Sequence, residues 1–154
     1  MITQKMKYAL KALMALADEK AGDGAPLRIE EIARRSGAPK RFLEHILLEI
    51  RNAGYIASTR GRNGGYVLIK EPREVPLSDL LRMIDGPIAP LPCLSRRAYQ
   101  RCDDCTDEAA CRIRKVFAEV FWSYLLLIES LTLEDMVGNP AVADELLLAA
   151  PSAP

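Results

Sequence analysis

The sequence predicts a mainly α-helical chain that carries one small β-hairpin and ends in a long helix. Three patterns point there. Apolar residues recur at helical spacing through most of residues 3–53, interrupted by glycine and proline. The period then changes to that of short strands around Gly61-Arg62-Asn63-Gly64-Gly65. From residue 109 to 131 a helical apolar pattern returns and runs without a break.

The first helix is expected over 3–20, with Met6, Leu10, Leu13 and Ala17 on one face and Gln4, Lys7 and Lys11 on another. Gly22, Gly24 and Pro26 end it. A second helix over 29–36 turns Ile29, Ile32 and Ala33 inward and Arg34 and Arg35 outward, and Gly37 stops it as a C-terminal glycine does. Pro39 suits the first turn of a third helix over 39–53. Its buried stripe reads Phe42, Leu43, Ile46, Leu47 and Ile50, while Lys40, Arg41, Glu44, His45 and Arg51 take the other faces. Two helices joined by a tight turn, the second rich in exposed polar groups, match a helix-turn-helix. Tyr55–Arg60 and Tyr66–Lys70 read as strands, and Asn63-Gly64 between them signals a hairpin because both residues tolerate positive φ. Residues 1–76 thus predict a winged helix-turn-helix.

Residues 77–108 read as a connecting helix over 78–85, with Ser78 as its N-cap, followed by a cysteine-containing loop without apolar period. Residues 109–137 hold the strongest helical pattern: Ile113, Val116, Phe117, Val120, Phe121, Tyr124, Leu125, Ile128 and Leu131, widened by Trp122, Leu126 and Leu127. A helix apolar on most sides needs more than its own small domain to bury it, so it is read as a dimerisation helix. Thr132 is positioned to cap a last turn through Met136. Residues 138–154 are expected to be a partly flexible tail.

The 154 residues carry 21 basic and 21 acidic side chains, yet the charge is uneven. Residues 1–75 hold 14 Lys/Arg against 9 Asp/Glu, and residues 76–154 hold 7 against 12. The first half is therefore +5 and the second −5, which invites nucleic acid to the first half alone. No apolar run is long enough to span a membrane, and lysines interrupt the start where a secretory signal would be apolar, so a cytoplasmic protein is expected. One histidine and no recognisable nucleotide-binding, serine-hydrolase or zinc-protease motif leave little support for an enzyme.

Between Arg34 and Arg62 lie seven basic residues (Arg34, Arg35, Lys40, Arg41, Arg51, Arg60 and Arg62) and two acidic ones, Glu44 and Glu49. Phosphate contacts dominate affinity for nucleic acid, and Lys and Arg supply them. Side chains near the start of a recognition helix reach base edges in the major groove, which nominates Lys40, Arg41 and Glu44. Arg60, Arg62 and Asn63 on the wing tip suit the adjacent minor groove. Each charge taken singly is equally at home on a solvated face; the agreement of the elements favours double-stranded DNA.

All four cysteines fall in one stretch, Cys93-x8-Cys102-x2-Cys105-x5-Cys111. In a reducing compartment such clustering points to a metal site or thiol chemistry more than to structural disulfides. Cys111 lies near the start of the long helix, where the dipole favours a thiolate. Spacing leaves an iron–sulfur cluster, zinc and inert thiols open.

Taken in order, Tyr8-Ala9-Leu10-Lys11-Ala12-Leu13, Glu31-Ile32-Ala33, Phe42-Leu43-Glu44, Arg60-Gly61-Arg62-Asn63-Gly64-Gly65-Tyr66 and the Cys105-x5-Cys111 step make residues 1–137 resemble the Rrf-type winged-helix regulators, which include IscR-, NsrR-, RirA- and CymR-like proteins. The resemblance implies a homodimeric transcription factor on a palindromic operator. It also implies an iron–sulfur cluster, of two or four irons, on Cys93, Cys105 and Cys111. The gap from Cys93 to Cys105 is longer than that pattern has, and Cys102 is additional. Relatives that use a non-cysteine fourth ligand take it from positions where this chain has Arg114 and Lys7, neither a ligand. Cys102 is therefore expected to complete a four-cysteine site, with loss or oxidation of the cluster changing the spacing of the two reading heads. Zinc, a cluster-free thiol switch, and a redox or metal-carrying protein that docks a protein partner are the alternatives.

Overall fold

The computed structural model describes residues 2–138, and the expected tail from 139 onward lies outside them. Helix α1 spans Gln4–Ala21, α2 Ile29–Ser36 and α3 Lys40–Asn52. Strands β1 (Ile56–Thr59) and β2 (Gly65–Leu68) follow, then α4 (Leu77–Asp85), α5 (Arg112–Ser130) and α6 (Leu133–Gly138). Short 3-10 turns at Pro72–Glu74 and Pro92–Leu94 link these elements. No described helix is long and apolar enough to cross a membrane.

Helix α1 is the hub, touching α2, α3, α4, α6 and β2. Its alanine-rich face allows that many neighbours close approach: Met6, Ala9, Ala12, Leu13, Leu16 and Ala17 are all buried. Thr3 caps it by accepting from the Met6 amide at 3.1 Å, and the Thr3 amide in turn donates to Asp85 at 3.1 Å, tying the start of α1 to the end of α4. Leu43, Ile46, Leu47 and Ile50 of α3 complete the core with Ile32, Ile56, Leu68, Leu80 and Leu133. Gly37 takes the left-handed conformation (φ 66°) that ends α2 and turns the chain into α3, as expected.

Four local expectations are corrected. Phe42 is not in the buried stripe: it is 46% exposed and makes an edge contact with Tyr8 of α1, because at 100° per residue it falls about 40° outside the arc of Leu43, Ile46, Leu47 and Ile50. Pro39 precedes α3 as its cap residue and does not lie within the helix. Ser78 does not cap α4: the helix starts one residue earlier, its cap residue is Pro76, and Ser78 is buried within the first turn. The strands are shorter than expected, pairing antiparallel from Ile56 opposite Leu68 to Thr59 opposite Gly65. The hairpin's positive φ falls on Gly61 (φ 107°), and no described non-glycine residue has one. Gly64 is needed for a different reason, since a Cβ there would lie 2.3 Å from the Thr59 carbonyl oxygen.

Helix α5 begins three residues later than the pattern suggested. The Asp107 carboxylate accepts from the amides of Ala109 (2.8 Å) and Ala110 (3.3 Å), which closes a separate turn first. Cys111 then caps α5, its sulfur accepting from the Arg114 amide at 3.4 Å. At the far end the Leu77 amide donates to the Leu131 carbonyl and the Leu133 amide to that of Val75, both at 2.9 Å. These bonds join the exit of α5 to the entrance of α4. Thr132 stands just before α6, and its amide and hydroxyl donate to the Asp135 carboxylate at 2.7 and 2.9 Å, which ties the helix entrance to its first turn.

Candidate functional site

The basic surface is built by α3 and the hairpin. Lys40, Arg41 and Glu44 lie exposed on the first turns of α3, and Arg60, Arg62 and Asn63 are exposed on the loop between β1 and β2. The two elements are cross-linked, since the Arg51 guanidinium of α3 donates to the Ser58 hydroxyl of β1 at 3.3 Å. The hairpin is also tied to the segment before α2 by paired bonds between Leu27 and Tyr66 of 3.0 and 2.8 Å. Gly65 makes that approach possible, for a Cβ there would sit 2.5 Å from the Leu27 carbonyl oxygen.

Among the predicted contacts, the cations fall into two groups. Arg34 forms a two-pronged contact with Glu31 (2.8 and 2.7 Å), and Arg35 bonds Glu31 and Glu19. Hydrogen bonds from Arg34 and then Arg35 hold the Glu31 carboxyl down at about 2. Lys40 is paired with Glu30, which raises its pKa. Arg41, Arg60 and Arg62 have no ion-pair partner among the described residues, so no pair need break for an anion to approach them. His45 sets its Nδ1 3.2 Å from the Arg41 carbonyl, one helical turn back.

Sequence reasoning missed Arg28. It stands just before α2, and its guanidinium donates to the Arg62 carbonyl, so it holds the wing tip by its backbone and leaves the Arg62 side chain exposed. An arginine at a helix start with no capping role was the available signal.

The cysteine stretch forms a small second core against α5. Cys93 and Leu94 are buried with Phe121 and Leu125, and Cys102 packs on the same cluster. Burial, then the Cys93 thiol beside it, push the Cys102 thiol above its ordinary pKa, and Cys105 adds to the effect. Arg101 donates to the carbonyls of Cys105 (2.8 Å) and Thr106 (3.1 Å), and Arg96 lies 4.4 Å above the Trp122 ring. All four cysteines are free thiols. Among the described residues no three His, Cys, Asp or Glu side chains converge as a metal site, so the structure sets Cys102 beside Cys93 but does not bring the four predicted ligands together.

The remaining side of α5 is apolar and exposed, through Ile113, Val116, Phe117, Val120, Tyr124, Leu127 and Leu131. At 100° per residue these fall on one face, about a quarter turn from the Phe121–Leu125 face that grips the cysteine loop. The expected widening by Trp122 resolves inward: it is half-buried on the second core.

The model of the Rrf2 family, described as iron-dependent transcriptional regulators, matches residues 2–139. The chain belongs to the Rrf2 family. It is 75% identical over 144 residues to an rrf2-like HTH-type transcriptional regulator of Rhodobacter capsulatus, covering 92% of this chain and 96% of that protein. It is 34% identical over 137 residues to the HTH-type regulator CymR of Bacillus subtilis, 89% of each chain. The solved structure of that CymR, titled the global cysteine regulator, superimposes with a TM-score of 0.71 over 89% of this chain and 95% of its own. An IscR structure from T. potens gives 0.67 at 25% identity, over 99% and 93%. This Rrf2-family chain is therefore a winged-helix, DNA-binding transcriptional regulator, as its sequence led one to expect.

Proposed function

We propose that this Rrf2-family regulator acts as a cytoplasmic homodimer on palindromic duplex DNA, with an operator affinity set by an iron–sulfur cluster on Cys93, Cys102, Cys105 and Cys111. The observation that carries the reading is the position of the cysteine loop. Its Cys93, Leu94 and Cys102 pack on one face of α5, while the adjacent face of α5 is apolar and exposed. Whatever orders that loop acts on the angle at which α5 leaves the body, and in a pair of chains that angle sets the distance between two reading heads. A signal changes DNA affinity only by stabilising one such arrangement over another.

The donor chemistry suits the group, although the thiols are not gathered into a cage among the described residues. Four thiols lie within one stretch, Cys102 is already beside Cys93, and the buried Nε of Arg114, next to the Cys111 cap, has no acceptor. When bound, an iron–sulfur cluster supplies a linkage between thiolates that responds to iron supply and oxidation. Arg41, Glu44, Arg60, Arg62 and Asn63 then read and hold the duplex, with Lys40, Arg34 and Arg35 exchanging carboxylate for phosphate. Names such as IscR and NsrR among the relatives support sensing, and CymR, titled a cysteine regulator, supports the alternative in which the thiols act without metal. Anaerobic expression followed by an absorbance spectrum and iron and sulfide analysis decides between them. A colourless chain with neither element ends the cluster reading and leaves the thiol switch. Binding no operator over random duplex ends the regulator reading itself.

A further inference from the structure

A cavity of about 460 Å³ lies between α4, the segment Ser95–Ala98 and α5. Its charged lining is cationic, although residues 76–154 hold 7 basic side chains against 12 acidic. Arg82, Arg96 and Arg97 border it with a single carboxylate, Glu129. Arg82 already donates to that carboxylate, which is therefore neutralised toward an incoming anion. Arg96 and Arg97 have no ion-pair partner among the described residues, and Arg96 rests 4.4 Å above the Trp122 ring. Ser95 is buried beside them. Its Oγ accepts from the Ala98 amide at 3.0 Å, and its own proton has no acceptor among the described residues. The rest of the lining is mainly apolar, from Pro87 and Ile88 after α4 and from Phe121 and Leu125 of α5. Phe121, Leu125 and Glu129 follow one another at four-residue spacing, so the cavity runs along a line of α5 about a third of a turn from its exposed apolar face.

We propose that this cavity is a binding site for a small organic carboxylate with an apolar body, its carboxylate taken by Arg97, Arg96 and the Ser95 hydroxyl and its body laid against Ile88, Phe121 and Leu125. Unpaired guanidiniums beside a free hydroxyl proton are the donors that recognise a carboxylate. An inorganic anion would leave the apolar lining wet, and an uncharged hydrocarbon would leave the arginines and the serine proton without an acceptor. A carboxylate on a short carbon chain meets both needs. The volume is that of an ordinary small-molecule site, with an apolar lining and a few convergent polar groups. No cysteine lines it, so the site is separate from any chemistry of the four thiols. An occupant would touch α4, the loop and α5 together.

Trp122 is the single tryptophan of the chain, and Arg96 lies on its ring, so its fluorescence reports an anion that draws that guanidinium away. Hexanoate, 1-hexanol (the body without the charge) and inorganic phosphate (the charge without the body) are titrated into the full chain, and melting temperature is read alongside. Hexanoate is expected to change the emission saturably, half-complete at about 1 mM, and to raise the melting temperature. The other two probes are expected to bind about tenfold more weakly or less. Arg97→Gln should weaken hexanoate about tenfold, the worth of one charged hydrogen bond, and Arg97→Lys, which keeps the charge, should weaken it less. Arg112→Gln removes the same charge at the start of α5, outside the lining, and should bind as wild type does; matching circular dichroism shows that each variant is folded. Hexanol or phosphate binding as tightly as hexanoate, or equal losses in Arg97→Gln and Arg112→Gln, would overturn the proposal. So would hexanoate that alters neither emission nor melting at any soluble concentration. No iron or DNA is added, so the outcome is independent of the cluster reading.

Discussion

Val120 sits midway along the apolar face of α5 with 66% of its surface exposed, and Val120→Asp tests whether that face joins two chains. Fully burying a valine is worth about 1.5–3 kcal/mol, so covering two-thirds of one stabilises by about 1–2 kcal/mol. In a two-fold pair the residue counts twice, giving about 2–4 kcal/mol before the cost of desolvating two carboxylates. Dimer dissociation should strengthen by roughly 30- to 1,000-fold. Sedimentation equilibrium over a range of protein concentrations reads that change directly. Because Val120 contributes nothing to its own protomer's core, the circular dichroism of the variant should match wild type. Leu126, 71% exposed but a third of a turn round the helix, supplies the control. If Leu126→Asp dissociates the protein as strongly as Val120→Asp, or if neither does, the assignment of the interface to this face is wrong.

Removing the unpaired wing cations, Arg60→Ala or Arg62→Ala, should weaken binding to all duplexes and lower the slope of log affinity against log salt by about one each; fluorescence anisotropy in a salt series measures this, and an unchanged slope removes them from the phosphate contacts. Arg34→Ala should have a smaller effect, since Glu31 competes for that guanidinium. Gly65→Ala drives a Cβ to 2.5 Å from the Leu27 carbonyl oxygen and should cost about 1–3 kcal/mol as overpacking does, seen as a lower melting temperature together with weaker DNA binding; normal values for both would mean the wing is not clamped there. The Glu31 carboxyl is depressed from 4.5 to about 2 in the folded chain, so its stabilising contribution is present above pH 4.5 and fades as pH falls toward 2. Urea unfolding across that window should show a shallower acid dependence for Glu31→Gln, and superimposable profiles would disprove the coupling.

Most of the winged helix was legible because its signals are local. The glycine ending α2, the apolar spacing of α1 and α3, and the change of period at the hairpin each depend on a few neighbouring residues. The misreadings occur where a distant group intervenes. Phe42 is spaced like a core residue against Ile46, yet it meets α1 only through an edge contact with Tyr8 and stays 46% exposed. Ser78 is a good cap residue by type, but the strand-like bonds to Leu131 and Leu133 start α4 at Leu77. The basic residues were readable as a set; the pairs of Arg35 with Glu19 and of Lys40 with Glu30 were not, because they cross between helices, whereas Glu31 meets Arg34 and Arg35 at helical spacing within α2.

The chain's order of residues was enough to establish a DNA-reading head with a basic wing, a cysteine-rich linker and an apolar rod, since periodicity, turn chemistry and spacing are properties of neighbours along the backbone. Folding alone decided which face of the rod grips the cysteine loop and which is left exposed, and that Arg35 reaches Glu19 and Lys40 reaches Glu30. Those outcomes depend on distances between segments far apart in sequence, and packing fixes them only when the whole core closes around α1.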